Sequence, residues 1–475
     1  ETIEAGSFDL LSKLAMLTLR NNKIKSIDSK LFNALGSLST LQLSKNPIES
    51  FTDPMTHQTF FKDLTNVKYL IIDGLKVKQL LKDTFANLSS LIELNLCDGE
   101  LESIDEDAFG SNLDSLINLD LSNNKLKRLE RKCFKNLNFQ LKYLNLDENE
   151  LIHIDDDFLS NFDALGNFHL NQNKGLVNLI NTTFEIKSTL ELNLTCLELS
   201  DIGFESLPDG FFSRMDLLHK INLSKNKIKR INKMWFRNLK KLKKLDLSEN
   251  EIESIECDEL ETLCRLELFN LASNKLKSFD KSILVNLKNL DQLVLSKNQI
   301  ESIEEGSSNI NERFTSSIKN IDLSSNKIKS LEQIKKLLSL TKFIVTLNLR
   351  DNEIERIDDD DFFFDSDQLM SLKTIDLSNN RINFIRPNTF RASLLTLQKI
   401  NLSGNNLANL NPNESGIFNL ISLKTLFLVK CSIKTIKLSD LNNLESLRYL
   451  VFDGEIERDI DEKNDSMLFN VYKLT

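Results

Sequence analysis

Apolar residues recur along this chain with a compound period that no single helix or strand produces. The pattern Leu-x-x-Leu-x-Leu-x-x-Asn-x-Leu/Ile returns about every 24 residues. Clear copies run from Leu218 to Ile228, from Leu242 to Ile252 and from Leu372 to Ile382. The first apolar slot falls at positions 14, 38, 67, 91, 116, 141, 165, 194, 218, 242, 266, 290, 318, 344, 372, 397, 423 and 447. It is Leu everywhere except Val67, Ile318 and Ile344, which serve the same packing purpose. Eighteen registers with steps mostly of 24 to 26 residues are not a product of chance. Repetition at this period marks a stacked architecture, in which each unit buries its apolar slots against its neighbours.

Each slot has a mechanical reason. The x-Leu-x-Leu-x stretch alternates with period two, which predicts a short strand with leucines inward and the intervening residues outward. The residue eight past the first slot is Asn in thirteen copies: Asn22, Asn46, Asn124, Asn149, Asn173, Asn226, Asn250, Asn274, Asn298, Asn326, Asn352, Asn380 and Asn405. An amide donates and accepts at once, so it can satisfy backbone groups left unpaired where the strand turns away. Further on, a recurring Phe slot holds Phe32, Phe85, Phe109, Phe134, Phe158, Phe184, Phe212, Phe236, Phe314, Phe364, Phe390 and Phe418. These rings are expected to stack as a spine behind the sheet, which helps account for thirty Phe beside four Tyr. With strands about 4.8 Å apart, the array predicts an inner sheet roughly 80 Å along its arc.

The full unit, LxxLxLxxNxIxxIxxxxFxxLxx, resembles the typical 24-residue class of extracellular leucine-rich repeats found in Toll-like receptor ectodomains, Slit and chaoptin. The plant-type Gly-x-Ile-Pro signature and the alternating units of ribonuclease-inhibitor-like proteins are absent. The resemblance implies an α/β solenoid: a curved horseshoe with a concave parallel β-sheet and an irregular, short-helical convex side. A single solenoid of about 18 repeats is expected over residues 1–475, cut at both ends and without cysteine caps. It also implies a secreted or cell-surface protein that binds other proteins.

Composition narrows the function more than the fold. A hydrophobic share of 40% with 27% charged residues describes a folded chain. The net charge of −10 argues against nucleic acid or an anionic membrane as partner. No run of 18 apolar residues occurs, so direct membrane insertion is not expected. The six cysteines are scattered, without a CxxC pair, and suggest neither a disulfide framework nor a metal site. His57, His153, His169 and His219 stand at different places in their units, and phosphate loops and HExxH are missing. No enzyme activity, cofactor or metal is therefore expected. The acidic runs Asp105–Asp107, Asp155–Asp157 and Asp358–Asp361 lack the spacing of a calcium loop, and capping of outer helical turns is the expected role. Seven Asn-x-Ser/Thr sequons (Asn87, Asn181, Asn193, Asn222, Asn401, Asn413 and Asn464) would suit a glycoprotein. Their number is close to random expectation for so much Asn, Ser and Thr, so they do not decide localisation.

Two surfaces stand out among the outward strand positions. Around repeats four to eight lie Glu93, Asp98, Asp120, Asp147, Glu148, Glu198 and Asp201, with Tyr143 and His169 among them, a patch suited to a basic protein ligand. Near the C-terminus the same positions turn apolar at Phe427, Val429, Tyr449 and Val451, with a smaller version at Tyr69 and Ile71. The ladder Asn is lost at Leu75, Gly99, Ile202, Cys431 and Glu455, and residues 51–60 form the largest expected outer loop. Two functions fit this pattern. One is the non-catalytic ectodomain of a cell-surface receptor or adhesion protein engaged in signal transduction. The other is a scaffold that assembles through homophilic lateral contacts, with a homodimer as its simplest form.

Overall fold

The computed structural model describes residues 3–457 and 470–472, apart from 54, 138, 156–157, 179–191, 305–315, 342, 360–370, 409 and 411–414. Phe184, Phe314, Phe364, Asp156, Asp157, Asp360, Asp361 and the sequons Asn181, Asn413 and Asn464 lie outside the described residues. The chain forms two compact units, Glu1–Lys227 with Arg237–Leu242, and Ile228–Phe236 with Lys243–Thr475.

In each unit the main strands are parallel and three or four residues long. Among the described residues the first unit carries nine, from Met16–Thr18 to Lys220–Asn222, and the second carries ten, from Lys244–Asp246 to Asn470–Tyr472. Eighteen of them begin two residues after a first apolar slot, where the alternation puts them. The remaining strand, Asn470–Tyr472, pairs in parallel with Tyr449–Phe452. It falls within a further partial copy of the pattern, Met467–Thr475, in which Lys473 stands where the third Leu belongs. Register survives the longer steps: Thr40 pairs with Tyr69, and Asn167 with Cys196. Since a one-residue slip would turn every leucine outward, insertions are confined to the segments between strands.

Those segments are mostly turns and short 3-10 helices, such as Arg131–Phe134 and Lys281–Val285, with two α-helices among the described residues, Lys233–Phe236 and Glu332–Leu338. Small secondary pairings also join adjacent repeats, as Arg128–Leu129 with His153–Ile154 and Ser278–Asp280 with Ser302–Glu304. Each unit is thus a parallel β-solenoid with little helix, as the sequence predicts.

The inward slots are sealed. Leu119, Leu144, Leu245, Leu293 and Leu347 are all 0% exposed. Behind the first unit's sheet the aromatic rings touch in sequence: Phe85 to Phe109 at 6.1 Å, Phe109 to Phe134 at 5.6 Å and Phe134 to Phe158 at 5.3 Å. Phe212, Phe236, Phe390 and Phe418 are buried in their own slots, whereas Leu260 and Leu284 fill the equivalent slots of the second unit without a ring. The segment 51–60 is more than a surface loop. Phe51 and Phe60 are buried, and their rings extend the spine from Phe32 towards Phe85. Thr52 and Thr59 bridge its stem. The Asp53 carboxylate accepts backbone N–H groups from Ser29, Met55 and Thr56, which holds its pKa well below the usual carboxylate range.

The Asn amides supply the polar half of each repeat. In Asn274, Oδ1 accepts the Ile252 N–H at 2.9 Å, while Nδ2 donates to Leu247 O at 2.9 Å and Leu271 O at 3.0 Å. Ile252 and Leu247 belong to the preceding repeat, so one side chain ties two turns together. The same two-way bonding recurs at Asn46, Asn124, Asn149, Asn173, Asn226, Asn298, Asn326, Asn352, Asn380 and Asn405. Asn250 accepts from Ile228 and donates within its own turn. Asn22 differs: it is exposed and, among the described residues, donates within its own turn, to Leu19 O and Arg20 O. Where Asn is lost at Cys431, the thiol donates to Leu402 O at 3.1 Å and so replaces one arm of the amide.

Immediately before the Asn slot lies a feature the repeat pattern did not reveal. Seventeen of the eighteen copies have positive φ there: fifteen are non-glycine residues between +50° and +60°, and two are Gly74 and Gly404. The left-handed turn aims that residue's N–H at the next repeat, as in Asp98 to Ser122 O at 3.0 Å and Glu148 to Asn171 O at 2.8 Å. The signal was present, since these positions hold only Asn, Asp, Glu, Gln, Lys, Ser or Gly and no β-branched residue.

Replacing Asn274 with Ala leaves a buried N–H and buried carbonyls unpaired, so a loss of about 2–3 kcal/mol is expected in chemical denaturation. Hydrogen exchange at the Ile252 amide should accelerate alongside it. Asn22→Ala should cost less than about 0.5 kcal/mol, as an exposed substitution. Equal costs at the two sites would contradict the account of the ladder.

Candidate binding face

The outward strand positions form the solvent face of each sheet, and most of their polar groups are occupied by one another. At the second outward position, Asn or Asp closes a turn by accepting the N–H two residues on. Asn95 accepts from Cys97, Asp120 from Ser122, Asn145 from Asp147 and Asn222 from Ser224. The second unit repeats this at Asp246, Asn270, Asp322, Asn348, Asp376 and Asn401. Amides also reach across strands to carboxylates, as from Asn270 to Asp246 and from Asn401 to Asp376, both at 3.1 Å. This row is legible in the recurrent Asp-Leu-Ser and Asn-Leu-Ser triplets, though the pattern alone did not announce a hydrogen-bonding role.

The acidic residues singled out from the sequence lie on neighbouring turns of the first unit. Glu93 and Asp120 are half-buried on the face. Asp98 accepts from Asn123 Nδ2 at 2.8 Å, and Asp147 from the Asn171 backbone N–H at 2.6 Å and its Nδ2 at 3.1 Å. Glu148 is exposed and accepts from Gln172 at 3.4 Å. Cations reach the far end of the patch, where Lys174 stands 3.6 Å from Asp201 and Lys220 pairs with the buried Glu198. His169 Nδ1 lies 3.8 Å from Asp147 Oδ2. Amide and hydroxyl partners orient a carboxylate without neutralising it, so Glu93, Asp98, Asp120 and Glu148 keep their charge facing solvent.

Tyr143 and His169 sit together within this patch, ring centroids 5.0 Å apart in an edge-on arrangement. Burial, with Asp120 and Asp147 nearby, pushes the Tyr143 hydroxyl up to about 12. Burial likewise raises the Cys97 thiol to about 12, helped by Asp98 and Asp120, and the Cys196 thiol to about 11, helped by Glu198. Cys97, Cys133, Cys196, Cys264 and Cys431 are all unpaired thiols.

The apolar set occupies the second unit. Phe427 pairs with Val451, and Thr425 with Tyr449. Tyr449 is 44% exposed, Phe427, Val429 and Val451 are half-buried, and Lys399 Nζ sits 5.4 Å over the Phe427 ring. Tyr69, in the first unit, is exposed as well.

Within the outer acidic runs, Asp155 caps a helical turn across repeats, whereas Asp105 and Asp107 take side-chain partners, Gln79 and Lys135 with Asn136. Asp155 Oδ2 accepts the Arg131 N–H, at the start of the preceding repeat's helix Arg131–Phe134, and Asp359 accepts the Asn388 N–H. All four described sequon amides donate hydrogen bonds: Asn87 to Lys62 O, Asn193 to Asp163 O, Asn222 to Glu198 and Asn401 to Asp376. No helix among the described residues is long and apolar enough to cross a membrane.

Spectrophotometric titration should find Tyr143 ionising near 12. Because nearby negative charge disfavours the phenolate, Asp120→Asn combined with Asp147→Asn should bring that value down. A value unmoved by both substitutions would assign the shift to burial alone.

The leucine-rich-repeat family profile matches residues 1–48, 90–139, 192–252, 218–276 and 370–416. No curated protein matches the sequence. Among solved structures, Toll from the Drosophila Toll–Spatzle complex superposes with a TM-score of 0.68 at 20% identity. That alignment covers 96% of this chain and 55% of Toll, so the chain spans little more than half of its relative. A leucine-rich-repeat protein of Leptospira interrogans gives a TM-score of 0.61 at 23% identity, covering 96% of this chain and 95% of the other. A chain of the LRIM1/APL1C complex gives 0.52 at 19% identity, covering 71% and 57%. Repeat pattern, solenoid and family profile agree: the chain belongs to the leucine-rich-repeat superfamily.

Proposed function

We propose that this chain is a non-catalytic, receptor-like binding ectodomain that works outside the cell or at its surface and takes a basic protein ligand on the first unit's solvent face. The observation that carries this reading is the charge left over on that face. Glu93, Asp98, Asp120 and Glu148 have no Lys or Arg partner among the described residues, and the hydrogen bonds at Asp98 and Asp120 hold them in fixed geometry. Preorganised, uncompensated charge is how a protein surface steers an oppositely charged partner and fixes its register. The architecture supports the same reading, since stacked repeats present extended surfaces suited to macromolecular ligands. The solved complex of Toll with Spatzle is a precedent on the same fold.

A second reading rests on the exposed Tyr449 and its neighbours Phe427, Val429 and Val451, which would suit self-association into a homodimer or scaffold.

For the leading reading, binding of a lysine-rich peptide to the immobilised chain should weaken at least about tenfold in the Asp120→Lys, Glu148→Lys double variant. The loss should shrink as salt rises past the screening range of about 0.15 M. Unchanged affinity, or equal capture of an acidic peptide, would remove the basic-ligand proposal. For the second, sedimentation at micromolar concentration should show a dimer that Phe427→Ala with Val451→Asp dissolves without unfolding. A monomer at every concentration would end that reading.

A further inference from the structure

The hydrogen-bonding row of the first unit runs Asn95, Asp120, Asn145, Asn222, but it is broken between the last two by His169 and Glu198. The strands there are Asn167–His169 and Cys196–Glu198, and their register sets His169 directly beside Glu198. Cys196 and Glu198 are two apart on one strand and so project to the same side. One ring nitrogen of His169, the Cys196 sulfur and a Glu198 carboxylate oxygen all lie within 4.8 Å of one another. The Cys196 sulfur is already 3.6 Å from Glu198 Oε1.

We propose that His169, Cys196 and Glu198 form a zinc-binding site on this face, with the fourth coordination position open to solvent or to a donor from a bound partner. The inference does not depend on the basic-ligand reading. A thiolate, an imidazole and a carboxylate are together the donor set that suits zinc rather than calcium or magnesium. Tetrahedral zinc holds such donors about 3.3–3.8 Å apart, so closing the set requires side-chain rotation and no backbone movement. The surroundings resemble an outer coordination shell. Asn222 Nδ2 donates to Glu198 Oε2 at 2.7 Å and fixes the carboxylate plane. Asp147 Oδ2 lies 3.8 Å from the imidazole Nδ1, and the Tyr143 ring packs edge-on against it. Partners of this kind orient ligating side chains and are commonly worth ten- to a hundred-fold in metal affinity. Glu198 is only 5% exposed, and the Lys220 ammonium balances it where a divalent cation otherwise would. On metal entry the Cys196 thiol proton passes to solvent, the sulfur–zinc bond forms, and Lys220 gives up its contact with Glu198.

The test is titration of the reduced, full chain with zinc alone by calorimetry, and with cobalt as a spectroscopic stand-in. Expected are one saturable site, a sulfur-to-cobalt charge-transfer band in the near ultraviolet, and tetrahedral d–d bands. Cys196→Ser and His169→Gln should each weaken zinc binding at least about tenfold, in keeping with loss of a direct ligand. Lys220→Met should tighten it, whereas Cys264→Ser, which removes an exposed thiol elsewhere, should change nothing. Absence of saturable binding, a cobalt spectrum without the thiolate band, or full affinity in Cys196→Ser would each overturn the proposal. If Cys196→Ser does not fold, His169→Gln and the cobalt spectrum decide the matter.

Discussion

The structure depends on one constraint: a backbone that leaves a three-residue strand at every turn must find partners for its N–H and C=O groups without a long ladder. Leucines alone cannot meet it. They supply the transfer energy for stacking, but a buried unpaired N–H costs about 1–3 kcal/mol, enough to cancel one buried leucine. The Asn amide resolves this because it offers opposite polarities from a single planar group. Asn274 binds an N–H and a carbonyl of the preceding turn and a carbonyl of its own. The left-handed residue before it is the backbone's half of the same arrangement, since it releases the chain from the strand while aiming its N–H at the following turn. Leucine slot, amide and left-handed turn form one device, and its recurrence is what makes the period rigid.

The same economy shapes the solvent face. Outward Asn and Asp side chains close turns on their own strands and bond across to the next, so much of what reads as surface polarity is structural. Functional candidates are then the places where this bonding lapses or leaves charge behind. Asp120 belongs to both categories, closing its turn on Ser122 while remaining ionic. His169 and Glu198 replace the turn-closing amide altogether, and so do the paired Phe427 and Val451, next to the exposed Tyr449 ring.

The fold was legible in the sequence to the level of individual strands, because alternating leucines and a fixed Asn leave one register available. Legibility failed where the physics is not periodic. Asn470–Tyr472 pairs normally within the partial copy Met467–Thr475, but with Lys473 in the third Leu slot the pattern marks the repeat without fixing the strand. Residues 51–60 read as an outer loop, but Phe51 and Phe60 belong to the aromatic spine, a role only packing reveals. For the candidate face, outward positions could be named from alternation, but their partners could not. His169 and Glu198 hold the same slot in successive repeats, with Cys196 two residues before Glu198, so the repeat alignment sets them on neighbouring strands; that their donor atoms converge is a matter of side-chain packing, which spacing does not show.

The amide ladder also has a direction. Every bridging Asn reaches back to the turn before it, so a repeat is completed by its successor and not by its predecessor. Asn22, which is exposed, donates within its own turn, to Leu19 O and Arg20 O. The two edges of such a stack are therefore inequivalent. Trimming turns from the N-terminal side leaves an Asn side chain without the groups it bridges, whereas trimming from the other side leaves a backbone N–H such as that of Ile252 without its amide acceptor. A chain emerging from the ribosome would hold its newest turn incomplete until the next amide arrives. Growth of the solenoid is thus gated one repeat at a time, and its polarity is that of synthesis itself.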